Sequence, residues 1–135
     1  MITAVDSSVL LDVFLADPGR ARAAAVALED CAGEGSVVVC DVTIVEVVPG
    51  LGGIEDPAAS LHDYGIRFDP VGEPAAVLAG KLNALYNRRR GKTSGGFVAD
   101  LLIGAHALLQ ADRLLTRDRG FYRDYFRGLK VIGLA

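Results

Sequence analysis

The chain has 135 residues, 51% of them hydrophobic and 23% charged, and a formal net charge of −3. That is the length of one domain and the composition of a globular one, which excludes a disordered chain. No apolar run approaches the ~18 residues that a membrane span needs, and mild acidity argues against a general nucleic-acid coat.

The N-terminus carries no basic leader, and Asp6 interrupts the place where a signal sequence would be apolar, so a soluble cytoplasmic protein is expected. Cys31 and Cys40 form no CxxC, have no histidine at ligand spacing and are too few for a disulfide scaffold. They read as small buried hydrophobes.

In chain order, ITAVD (2–6) is a short buried strand, and Ser7 or Ser8 is placed to cap the helix VLLDVFLA that follows. Asp17-Pro18 opens an alanine-rich helix to about residue 32, because a capping acid followed by proline is a helix-start signal. SVVVC (36–40) is a β-branched run and a second strand. Asp41 or Thr43 caps the helix bearing TIVEVV, and Pro49 stops or kinks it by removing a hydrogen bond. PGLGGIEDP is a loop, ASLHDYG a short helix and GIRFDPV (65–71) a third strand. Glu73-Pro74 starts a long helix to about Arg90, RGKTSGG is a polar loop, and FVADLLIGAHALLQA is a strongly apolar helix. RLLT (113–116) is a strand, RDRGFYRDYF a short helix with loops, and LKVIG (129–133) the last strand.

Strands and helices alternate, and the strands are continuous apolar runs, as they are when both faces are covered. The expected fold is therefore α/β, a single-domain three-layer α/β/α sandwich around a mainly parallel sheet. In such sheets ligands gather at the carboxyl ends of the strands, near a switch in strand order.

That rule draws attention to certain acids. Asp6 closes the first strand, Glu46 sits among branched aliphatics, Asp100 lies in the first turn of the most apolar helix, and Asp118 follows RLLT. Singly, each has an ordinary explanation: turn and cap residues for Asp6 and Asp118, a helix-dipole partner for Asp100, a solvated strip for Glu46. Glu46 is the hardest to explain so, because burying an unpaired carboxylate is costly. Together, carboxylates held close repel by on the order of a few kcal/mol per pair at an effective dielectric of about 20. A divalent cation relieves that, and an all-oxygen donor set suits Mg²⁺ or Mn²⁺. An acidic metal cluster rimmed by arginines is suited to phosphodiester cleavage.

Other features carry less. GKT within RRRGKTSGG lacks the glycine and the preceding strand of a phosphate-binding loop, and GLGG (50–53) follows a helix. His62 and His106 have no ligand partner at helical spacing, Asp12 is expected to be solvated on the first helix unless that helix tilts it toward the site, and Asp41 is expected to cap rather than to ligate.

DSSVLLD, TIVEVVPGL, ADLLIGAHAL and LLTRDRGF resemble, in that order, the signature segments of PIN domains, most of all the toxin ribonucleases of bacterial VapBC toxin–antitoxin pairs. The resemblance covers nearly the whole chain. It implies Mg²⁺- or Mn²⁺-dependent RNA cleavage, a homodimer and inhibition by a small cognate antitoxin. It places the family's catalytic and metal-holding carboxylates on Asp6, Glu46, Asp100 and Asp118, and the small polar residues that support them on Ser8 and Thr116. Arg88, Arg89, Arg90 and Arg117 are candidate RNA contacts; RRRGKTSGG is no family signature, and Pro49 departs from a helix that usually runs on. The alternative is a catalytically weak module of the same fold that binds RNA or an antitoxin.

Overall fold

A computed structural model describes residues 1–15, 17–90 and 97–134, with the side chains of residues 88–90 also outside the description. The expectations placed on residues 91–96 of the loop RGKTSGG and on the side chains of Arg88, Arg89 and Arg90 thus lie outside the described residues.

The elements run β1 (Ile2–Val5), α1 (Ser7–Leu15), α2 (Pro18–Glu34), β2 (Ser36–Val39), α3 (Asp41–Val47), a 3₁₀ turn (Val48–Leu51), α4 (Pro57–Asp63), β3 (Ile66–Phe68), α5 (Glu73–Arg90), α6 (Val98–Gln110), β4 (Arg113–Leu115), α7 (Arg119–Tyr125) and β5 (Val131–Ile132). The strands form one sheet in the order β3-β2-β1-β4-β5, and all of its pairings are parallel. Alternate residues along a strand point to opposite faces, and here each face is covered. Val5, Val37, Val39 and Leu115 pack with Val9 and Leu10 of α1 and Leu28 of α2. Ala4, Val38 and Leu114 pack with Leu101 and Ile103 of α6 and Tyr122 of α7. This is the three-layer α/β/α sandwich expected from the sequence.

Central strand β1 has β2 on one side and β4 on the other, so the strand order reverses beside it. The crevice of a parallel sheet opens at such a point, outside the carboxyl ends of the strands. Asp6 lies there, its backbone N–H donating to Leu115 O at 2.9 Å.

Local chemistry explains most element ends, with some departures. Asp17 caps α2 through Gly19 N and Arg20 N, and Asp56 caps α4 through Ala59 N, each followed by proline at the first helical turn. The caps expected of Asp41 and Thr43 are not made. Asp41 instead accepts Val71 N–H at 3.1 Å, tying α3 to the segment before α5, and Thr43 turns inward to the Cys40 sulfur. Pro49 ends the α-helix at Val47, and the chain tightens into the 3₁₀ turn. Both cysteines are free and buried, as expected, and burial pushes the Cys40 thiol up. His106 is a core histidine bonded to Asp69 at 2.9 Å. Among the described residues no helix is long and apolar enough to cross a membrane.

Two glycines give opposite expectations. A Cβ at Gly104 of α6 would overlap the buried Phe126 ring, whereas one at Gly80 of α5 meets nothing. Gly104→Ala is expected to destabilise the fold by about 1–3 kcal/mol through overpacking. Gly80→Ala should stabilise it by about 0.5–1 kcal/mol through helix propensity. Urea unfolding of the two variants beside the parent chain checks both signs.

Candidate active site

Asp6 is the first residue past β1 and is 4% exposed. A carboxylate so buried needs donors, and hydroxyls supply them. Thr116 Oγ1 donates to Asp6 Oδ2 at 2.6 Å and Ser8 Oγ to the same oxygen at 2.9 Å. Tyr122 OH donates to Oδ1 at 3.3 Å, and Ser7 Oγ lies 3.4 Å from that atom. Ser7 and Ser8 therefore depart from the expected cap: they stand in the first turn of α1 with their hydroxyls turned to carboxylates.

The other acids arrive from three elements. Glu46, on α3, accepts from Ser7 Oγ at 2.9 Å. It is exposed, so it lies on the solvated strip of its helix, and its placement among aliphatics reflects the other faces of α3. Asp100 stands in the first turn of α6 and is partly buried. Asp118 precedes α7, and its backbone N–H donates to Thr116 Oγ1 at 3.0 Å. Thr116 thus receives from the Asp118 backbone and donates to the Asp6 side chain, which fixes the two acids relative to each other.

The fold puts Asp6, Glu46 and Asp118 within electrostatic reach of Asp100. Burial raises the Asp100 carboxyl from its ordinary 3.8 to about 6, and the charges of Asp6, Glu46 and Asp118 push it the same way, against a lowering hydrogen bond from Tyr122. Tyr122 sits between Asp6 and Asp100, and burial first, then those two negative charges, raise its phenol far out of reach of physiological ionisation. It stays a donor. Among the described residues, no three Asp, Glu, His or Cys side chains are gathered closely enough to hold one ion between them. The acids act on one another through space rather than by contact. The donor set, all oxygen and with unrelieved like charge, fits a hard divalent cation.

Two residues of the site were not expected. Tyr122 lies four residues after Asp118, the spacing that puts two side chains on one helix face. Asp12, expected to be solvated, is 3% exposed and pairs with Arg20 and Arg117. It too stands four residues from a site residue, Ser8.

The model of the PIN domain family matches residues 3–126. This chain belongs to the PIN domain family. Among solved structures it is similar to a VapBC complex from Rickettsia felis bound to promoter DNA, with a TM-score of 0.71 and 16% identity over 100% of both chains. A toxin–antitoxin complex from Klebsiella pneumoniae gives 0.64 and 22%, covering 96% of this chain and 95% of that one. FitAcB from Neisseria gonorrhoeae gives 0.62 and 22%, covering 98% and 96%. At these identities the likeness is one of fold. No curated protein matches the chain.

The raised Asp100 carboxyl has a stability consequence for this PIN domain. Its proton is held more tightly folded, at about 6, than at the ordinary 3.8, so its contribution is complete below 3.8 and lost as pH rises through about 6. Asp100→Asn, in chelator at neutral pH, should therefore be more stable than the parent by about 1–2 kcal/mol after allowance for solvent screening. The difference should vanish toward about pH 4. Denaturant midpoints of both proteins across that pH range test this.

Proposed function

We propose that this PIN domain is a Mg²⁺- or Mn²⁺-dependent endoribonuclease, the toxin of a VapBC-type pair, restrained by a small cognate antitoxin and working as a homodimer in the cytoplasm. The observation that carries the reading is a buried Asp6, cradled by Ser8, Thr116 and Tyr122, beside an Asp100 whose carboxyl is raised by burial and, further, by three other carboxylates. A fold keeps such mutually repelling acids at a strand edge at a cost in stability, and a functional site is the usual reason.

Asp6, Glu46, Asp100 and Asp118 are the residues that would hold the metal, directly or through the waters that Mg²⁺ retains, and the metal when bound would lower the pKa of a water and offset charge on a phosphoryl oxygen. The chain's own groups do the remaining work. Ser8 and Thr116 keep Asp6 from turning away, and the hydrogen bond from the Asp118 backbone keeps that loop in step with it. Tyr122 holds its proton on the phenol oxygen and orients Asp6 without serving as a base. Arg117, half-exposed in the turn between Thr116 and Asp118, is placed to meet substrate phosphate.

Partners are supported by surface chemistry and by likeness. Similar structures are toxin–antitoxin complexes, some of them bound to DNA. Val77 of α5 and Leu109 of α6 are exposed on one side of the sheet. An apolar groove of about 310 Å³ lies by edge strand β3, between Ile44, Leu61 and Phe68. Exposed apolar surface of this kind marks protein contacts.

Incubation of the purified chain with structured RNA should give cleavage in Mg²⁺ or Mn²⁺ and none in chelator. Asp6→Asn and Asp100→Asn should each lose at least about 100-fold in rate. Mg²⁺ should raise the melting temperature of the parent chain and not that of Asp100→Asn. Cleavage that survives both substitutions and chelation would overturn the reading; tight RNA binding without cleavage would favour the binding module.

A further inference from the structure

Asp12 is the least exposed carboxylate among the described residues, and it makes no direct contact with the acids of the candidate site. It lies on α1, 3% exposed. Arg20 Nη2 of α2 reaches its Oδ1 at 2.9 Å, and Arg117 Nε reaches its Oδ2 at 2.9 Å. Both arginine side chains are about half in solvent, at 52% and 49%. One buried carboxylate thus holds two solvent-facing guanidiniums, and the group carries a net positive charge.

The grip on residue 117 is double. Ser8 Oγ accepts the Arg117 backbone N–H at 3.2 Å, while Asp12, one helical turn further along α1, takes its side chain. Positions 8 and 12 share a helix face, so a single face of α1 fixes both the main chain and the guanidinium of Arg117. The same Ser8 hydroxyl donates to Asp6, and residues 116 and 118 on either side of Arg117 are the ones linked through Thr116. The guanidinium is therefore registered to the carboxylates.

Stability alone accounts poorly for this arrangement. A buried ion pair gains little over apolar packing of equal volume. Arg117 Nε stands 2.9 Å from Asp12 Oδ2, close enough for charge to restrain the guanidinium, while about half of that side chain stays in solvent. An arginine so held is pre-ordered for a planar, doubly bonded oxyanion, which is what a backbone phosphate offers.

We propose that Asp12 is a positioning residue that sets Arg117 and Arg20 as a two-armed clamp for the backbone phosphates of single-stranded RNA entering the carboxylate site. Asp12 stands five residues along α1 from Ser7, about 7.5 Å of helix rise, so the clamp takes phosphates beside the one at the acids and not that one itself. The inference rests on the ribonuclease reading.

The test compares Arg117→Gln, Arg20→Gln and Asp12→Asn with the parent chain. Binding of a labelled single-stranded RNA oligonucleotide is followed by anisotropy in chelator over a range of salt, and cleavage kinetics are followed in Mg²⁺. Each variant should weaken binding about three- to tenfold. Each arginine variant should flatten the slope of log affinity against log salt by about 0.7. KM should rise by a similar factor while kcat stays within about twofold. Asp12→Asn added to the double variant Arg20→Gln/Arg117→Gln should bind no more than about twofold worse than that double variant, since Asp12 acts through those two side chains. The exposed arginine variants keep the test decisive if Asp12→Asn folds poorly. Unchanged KM and salt slope in the arginine variants, with a parent that cleaves RNA, would overturn the clamp and leave the nuclease standing. A parent that neither binds nor cleaves RNA would overturn both.

Discussion

The burial of the Asp6 carboxylate is the constraint around which this domain is arranged. An acid that is 4% exposed at the end of a central strand is tolerable only if its oxygens are bonded, and each hydroxyl-to-carboxylate bond contributes about 1.5–3 kcal/mol. The donors come from separate parts of the chain: Ser8 from the start of α1, Thr116 from the end of β4, Tyr122 from α7. Satisfying one side chain thus pins two helices to the crevice where the strand order reverses. The fold and the site share the same bonds.

Around that fixed point the site is electrostatically unbalanced. Asp100 sits partly buried among three other acids and is held at about 6 by burial and their charge. Among the described residues the side chains that hydrogen-bond these acids are hydroxyls, and burial together with the negative charges keeps Tyr122 a donor. Positive charge stands at the rim instead, where Asp12 holds Arg117 and Arg20. Acidic at the centre and cationic at the edge is a distribution that accepts a divalent ion and guides a polyanion to it.

Much of this was legible in the sequence, for identifiable reasons. Alternating apolar strands and helices predict the sandwich, and Asp17-Pro18 and Asp56-Pro57 mark helix starts because capping is local chemistry. The errors share a cause as well. Ser7, Ser8, Asp41 and Thr43 have the chemistry of caps, yet each finds a partner that lies far off in the chain or turned inward. For Glu46 the sequence left a solvated strip and a costly burial both open, because its neighbours are aliphatic, and the fold puts it on the solvated strip of a seven-residue helix. Asp12 was expected in solvent because its arginine partners lie at positions 20 and 117, and nothing local announces them.

The sequence by itself determined the elements, their layering and which acids stand at strand ends or helix starts, because periodicity, caps and breakers act within a few residues. Tertiary structure alone decided which hydroxyls serve Asp6, that the Asp100 carboxyl is raised, that Tyr122 reaches Asp6 and that Asp12 is buried between two arginines. Those outcomes depend on burial and on charges brought together across distances of up to 116 positions in the chain. A desolvated charge responds to everything within several ångströms, and only the folded packing specifies that set.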